Sequence, residues 1–224
     1  GVFCFMLPNT PPKADAVEKL AFKKAFSLFS NKSFLVLVLA SLGVSIIHQI
    51  YFLQTGPFLS FIGIKDSAIG PAMTIGQFAE IATMAYLGFF LKRFGFKKVI
   101  TIGIMAYFAR YAIFGTSILP AWVMVVSQAF HGFCFAFFFA AGFIYVDKLA
   151  DDDVRHSAQT VFGIIIFGGG PVVGGWLSGY LQEIYTVGGI FNYSSFWYTL
   201  AGMGLVTGIL FFSFFNVQLK KSDE

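Results

Sequence analysis

Between Phe34 and Val217 the chain is a succession of long apolar runs parted by short polar turns. The runs cover about 34–61, 67–91, 99–117, 120–146, 157–182 and 194–217. Each reaches or exceeds the roughly 20 residues a helix needs to cross a bilayer. A backbone in lipid must pair its own polar groups, so only helix bundles or closed barrels are allowed. Apolar residues here run continuously instead of alternating, which selects helices. Only 12% of the residues are charged, whereas a soluble domain is nearer one quarter. The expected fold is an all-α membrane protein with a six-helix transmembrane domain over 33–217.

The remaining segments are read as follows. Residues 1–8, Gly1-Val-Phe-Cys-Phe-Met-Leu-Pro8, read as the end of a preceding transmembrane helix, and the chain as a fragment. Residues 9–32 form a loop opened by Pro11 and Pro12. Within it Val17, Leu20, Ala21, Ala25, Leu28 and Phe29 recur at helical spacing, as in an amphipathic helix lying along a membrane face. Residues 218–224 are a polar tail.

Charge sets the orientation. Every basic residue except Lys65 and Arg110 falls in 13–32, 92–98, 148–155 or 220–221. With six spans these segments share one side, and the positive-inside bias makes it the cytoplasm, with both ends of the chain there. The net charge of +4 is therefore a topology signal and not a nucleic-acid signal. Cys4 and Cys134 lie in apolar runs without metal-ligand spacing and read as buried thiols.

The polar residues inside the runs carry the functional argument. Glu80 sits midway along 67–91, about 20 Å from either end at ~1.5 Å per residue. A charge at that depth costs about 2.5–3.5 kcal/mol even on the mildest scale, so it needs a reason. Gln77 lies one turn before it on the same face. Two readings follow: a neutral carboxyl locked between helices, or a ligand-binding and protonatable carboxylate facing water.

In the first run His48, Gln49, Tyr51, Gln54 and Thr55 crowd two turns before Gly56-Pro57, which should loosen or kink the helix. Cavity lining and interhelical bonding are both open to them. His131, Phe135 and Phe138 share a face of the fourth run, with Phe139 and Gly142 near it, and suit stacking on a planar ligand or simple packing. Arg110 could snorkel to the outer surface or pair with another span. Gly170 with Gly174, and Gly175 with Gly179, are small-residue pairs around Pro171 that suit helix packing. No nucleophile–base pair, metal cluster or cofactor motif is present. Neither an enzyme nor a cofactor is expected, and the metal reading is none.

Gly88-Phe-Phe-Leu-Lys92-Arg93-Phe-Gly95-Phe-Lys97-Lys98 resembles the basic turn that follows the second span of each half of the major facilitator superfamily. The six spans then resemble that fold's C-terminal half. Gly76-Gln77-Phe-Ala-Glu80, Arg110-Tyr-Ala-Ile-Phe114, His131-Gly-Phe-Cys134, Gly142-Phe-Ile-Tyr-Val-Asp147-Lys148 and Arg155-His-Ser-Ala-Gln159 are similar to the nucleoside:proton symporter family.

The resemblance implies proton-coupled nucleoside uptake by alternating access in a bacterial inner membrane. The N-terminal six-helix half would be the partner. Gln77, Glu80, Gln49, Phe52, His131 and Phe135 would bind substrate, Glu80 and His48 would be candidates for proton coupling, and the 88–98 turn would latch a gate. The family often has Asp where this chain has Ala136, which leaves Glu80 the sole acid of this half's site. Another small polar substrate such as a sugar, or a non-transporting receptor or scaffold on the same fold, remains an alternative.

Overall fold

A computed structural model describes residues 5–6, 8, 26–116, 119–152 and 154–219. The severed-helix reading of 1–8, most of the amphipathic-helix reading and the charged end of the tail lie outside these residues. A short 3-10 turn at Leu28–Ser30 leads into α1, Lys32–Phe61. The Asn31 side chain starts α1 by accepting from the Ser33 and Phe34 amides at 2.9 and 3.0 Å. It satisfies two donors that a helix start leaves open. The backbone stays helical through Gly56-Pro57, and no break occurs there.

The second element, α2, runs from Asp66 to Gly115 and is interrupted at Gly95, where φ is 74° and ψ is 166°. That conformation is essentially open to glycine alone. Gly95 reverses the chain. Phe137 of α3 (Ala121–Leu149) packs at a tilt, 5.0 Å from Phe90 before the break. A methyl on Gly103, after the break, would meet Phe138 at 2.7 Å. The two arms of α2, residues 66–94 and 96–115, therefore run in opposite senses beside α3, and the bundle has six rods. We expect Gly95→Ala to lower stability by about 1–3 kcal/mol through backbone strain. Gly88→Ala, at a site with nothing within 4 Å of the added methyl, should not. Thermal melting of the two purified full-length variants checks this.

The remaining elements are α4 (Arg155–Ile184), a hairpin of β1 (Thr186–Val187) and β2 (Ile190–Phe191), and α5 (Tyr193–Phe214). Gly188 and Gly189 both have positive φ, which a two-residue hairpin turn of this twist requires.

Close backbone approach builds the bundle. A methyl on Gly115 or Gly208 would meet the Tyr198 ring or Met105 sulfur at 2.8 Å, so α5 lies tight on the second arm of α2. A methyl on Gly174 would meet the Ile46 carbonyl at 2.8 Å, and one on Gly170 would collide with Ser45. Ser45 also donates to the Ile166 carbonyl, so α4 is seated on α1. Gly175 and Gly179, expected to pack like Gly170 and Gly174, have nothing within 4 Å of an added methyl. They lie on the exposed side of α4 with Trp176 and Tyr180, whose rings stack 5.6 Å apart. The two small-residue pairs are offset by five positions and so point about 140° apart around a helix, and one neighbour can use only one of them.

The Gly95 end of the bundle gathers the described basic segments. Phe96 packs edge-on against Tyr145 at 5.4 Å, and Tyr145 against Phe215 at 5.1 Å. Ser33 donates to the Asn216 carbonyl, and the Tyr145 hydroxyl accepts from the Gln218 amide at 3.2 Å. At the same end Gln159 donates to Asp147 at 3.1 Å, and Arg155 lies beside Asp147 at 3.7 Å while bonding Asp152.

Candidate functional site

Two glycines set the site where α3 crosses the first arm of α2. A methyl on Gly76 would meet His131 Cβ at 3.0 Å, and one on Gly132 would meet the Ala79 carbonyl at 2.5 Å. With neither methyl present the helices approach closely, and Glu80 Oε2 comes 3.7 Å from His131 Nε2. The Glu80 side chain keeps 22% of its surface open while His131 is buried. This is the geometry of a carboxylate turned to an open face, not one sealed between helices.

Behind His131 stands Arg110, fully buried. Its Nη1 lies 3.1 Å from His131 Nδ1, and Nη2 donates to the Tyr111 hydroxyl at 3.4 Å. The guanidinium also sits 3.9 Å from the centre of the Tyr51 ring and within 5.5 Å of those of Tyr107 and Tyr111. Cation–π contacts of this kind are strongest when desolvated. Tyr51 donates to Gln128 at 2.8 Å, and Tyr111 donates to the Ile47 carbonyl at 2.8 Å. Arg110 therefore pairs with another span and does not snorkel outward.

Aromatic rings complete the face. His48 stacks on His131 with centroids 5.5 Å apart and planes 15° apart, and shares a 2.8 Å hydrogen bond with Tyr107. Phe52 stands edge-on to both imidazoles, 5.0 Å from His48 and 5.8 Å from His131, and is 44% exposed. Phe135 lies 6.4 Å from His131.

The expected partner on this face was Phe138, but Phe139 takes the place. Residues Cys134–Ala140 adopt π-helical geometry. Its i→i+5 bonds put more than 3.6 residues in a turn, so positions four apart align. His131, Phe135 and Phe139 then share one side, with Phe139 5.0 Å from His48. Phe138 turns into the core against Gly103.

Thus the structure unites Glu80, His131, His48, Phe52 and Phe135. Gln77 stands exposed one turn before Glu80. Gln49 is half-buried, with its Cβ facing Gly174 of α4. Gln54 and Thr55 are buried in bonds instead: Gln54 donates to Ser178 at 3.0 Å, and Thr55 to the Tyr51 carbonyl at 2.7 Å. In the basic turn Arg93 lies over Phe94, and Lys97 over Phe212 of α5, at 5.7 and 4.9 Å from the ring centres. Tyr51 was legible only as one polar residue among five, and Tyr107, Tyr111 and Gln128 were missed as site residues. The spacing Tyr107, Arg110, Tyr111 was the available signal, since positions three and four apart share a helix face.

Among the described residues no group of three or more His, Cys, Asp or Glu is placed to hold a metal ion. The site offers one carboxylate acceptor, two stacked imidazoles and aromatic walls, which suits binding a polar ring-shaped solute. Six apolar rods with polar groups converging at mid-depth define an integral membrane transporter half of the major facilitator type.

Residues 1–220 match the nucleoside H+ symporter family, and the chain belongs to it. It is 32% identical over 229 residues to a putative nucleoside transporter, YegT, of Escherichia coli (strain K12), covering 96% of this chain and 53% of that protein. With the nucleoside permease NupG of the same strain it shares 30% identity over 235 residues, covering 97% of this chain and 56% of that one. A crystal structure of a NupG point mutant superposes with a TM-score of 0.81 at 30% identity, over 96% of this chain and 57% of that one. The chain spans about half the length of these relatives. They are transporters and permeases, and the chain belongs to a transport family, not an enzyme family.

Proposed function

We propose that this chain is the C-terminal half of a proton-coupled nucleoside transporter working by alternating access. The observation that carries the reading is Glu80 at mid-span, 3.7 Å from His131 and open to an aromatic face. Family membership supplies the substrate class. Glu80 and Gln77 accept and donate hydrogen bonds to the nucleoside, while Phe52, His131 and Phe135 wall its rings and Gln49 adds a polar edge. Glu80 exchanges the coupling proton, with His48 the second candidate beside it.

The spans divide as 34–61, 67–91, 99–117, 120–146, 157–182 and 194–217, with 9–32 and 218–224 cytoplasmic. The clustering of described basic residues at the Gly95 end supports that side as the cytoplasm of a bacterial inner membrane. There the turn from Gly88 through Lys92, Arg93, Gly95, Lys97 and Lys98 latches the closed state against the N-terminal half, the intramolecular partner.

The test is uptake of labelled uridine by full-length protein in proteoliposomes. An inward proton gradient should accelerate it, and unlabelled nucleosides but not sugars should compete. Competition by sugars would favour the sugar-transport alternative. Uridine binding without counterflow would favour a receptor.

A further inference from the structure

We propose that Arg110 is a positioning residue for Glu80, acting through His131. Its guanidinium is fully buried, and no carboxylate lies within 4 Å of it among the described residues. The group one step away, across the His131 ring, is Glu80. Arginine only donates hydrogen bonds. The 3.1 Å approach of Nη1 therefore requires His131 Nδ1 to accept, which leaves the imidazole proton on Nε2. A doubly protonated ring would turn an N–H against the guanidinium and is excluded. Nε2 is the atom that faces Glu80.

The stack locks this arrangement. Arg110 lies on Tyr51, Tyr51 is 27° from the His131 plane at 5.5 Å, and His48, 6.5 Å from Tyr51, packs beside it 15° from parallel to His131. These ring contacts, with Phe52 edge-on at 5.8 Å, hold the plane of the imidazole. Backbone contact at Gly76 holds its Cβ as well.

At 3.7 Å the Nε2–H and the Glu80 carboxylate are farther apart than a hydrogen bond of about 2.7–3.2 Å. They form a separated donor and acceptor. A ligand hydroxyl that donates to the carboxylate and accepts from Nε2–H bridges them. With the proton on Nδ1 instead, Nε2 would present a second acceptor beside the carboxylate, and the hydroxyl would lose one bond. Arg110 thus decides whether the pair recognises a hydroxyl, though it never touches one. The effect on ligand rests on the nucleoside reading above. The tautomer does not.

Two measurements on the full-length protein test this. The first uses ¹⁵N-histidine spectra without ligand, with His131 assigned by its loss in His131→Gln. The parent should show the Nε2–H tautomer, Arg110→Met a mixture, and Arg110→Lys, again a pure donor, the parent form. An Nδ1–H or doubly protonated His131 in the parent overturns the inference without need of any variant.

The second measurement is equilibrium binding of uridine. Arg110→Met should weaken it about tenfold, the scale of one charge-assisted hydrogen bond, and Arg110→Lys should restore most of the loss. In a Glu80→Gln background Arg110→Met should add little. Equal weakening in both backgrounds marks Arg110 as scaffold only and overturns the positioning role. If parent and variants show the expected tautomers but the parent binds no uridine, the nucleoside reading falls and the control of His131 by Arg110 stands.

Discussion

Proton-driven uridine uptake by the full-length transporter is expected to vanish in Glu80→Gln. The amide keeps the shape of the carboxyl, so folding and packing at the Gly76–Gly132 crossing should survive. It does not ionise in the physiological range and so cannot carry the coupling proton, and it replaces a charged acceptor with a neutral one. Hydrogen bonds to charged groups contribute about 1.5–3 kcal/mol, so uridine affinity should fall roughly tenfold to a hundredfold.

The informative measurement is uptake at saturating uridine, with and without an inward proton gradient. There the affinity loss is compensated and only coupling is read. Ala136 is fully buried and cannot titrate, and among the described residues no second carboxylate contacts His131. A gradient that still accelerates Glu80→Gln at saturation would show that the proton travels elsewhere, and His48 is then the next residue to test.

Gly132→Val should abolish function by a different route. A methyl at Gly132 meets backbone, at 2.5 Å from the Ala79 carbonyl carbon and oxygen, with the Thr83 hydroxyl at 2.8 Å. A side chain can rotate away from such a clash, but a helix backbone cannot. The helices must separate, at a cost of about 1–3 kcal/mol or more for overpacking. Separation also pulls His131 from Glu80, so folded yield and uridine binding should fall together. Gly56→Val on α1, where an added methyl meets nothing within 4 Å, serves as the control and should retain folded yield. Normal uridine binding by Gly132→Val would show that the crossing does not set the site.

The fold class was readable because apolar length and lipid physics leave few choices. A continuous run of 20 or more apolar residues in a bilayer has to be helical, whatever its neighbours are. Gly95 was visible as a punctuation mark between two runs, and its role as the reversing residue follows from a φ that other residues avoid. Glu80 and Gln77 could be singled out because a carboxylate at mid-span is costly anywhere.

Partners were a different matter. Sequence spacing places residues on one helix, but the Arg110–His131 bond joins positions 21 apart on two helices. Its existence depends on how closely the second arm of α2 settles on α3, where a methyl on Gly103 would meet the backbone of Phe137 and Phe138. Likewise the exchange of Phe139 for Phe138 follows from a π-helical stretch that the local composition Cys-Phe-Ala-Phe-Phe-Phe-Ala does not signal.

What the amino-acid sequence determined by itself was therefore the helical membrane bundle and one exceptional carboxylate. Those follow from the cost of moving polar groups into lipid, a property of each residue alone. Tertiary structure decided which imidazole faces that carboxylate, which glycines carry contacts, and that a buried arginine stands behind the pair. Those depend on distances between helices, set by backbone contact at Gly76 and Gly132 for the first arm of α2 and at Gly103 for the second.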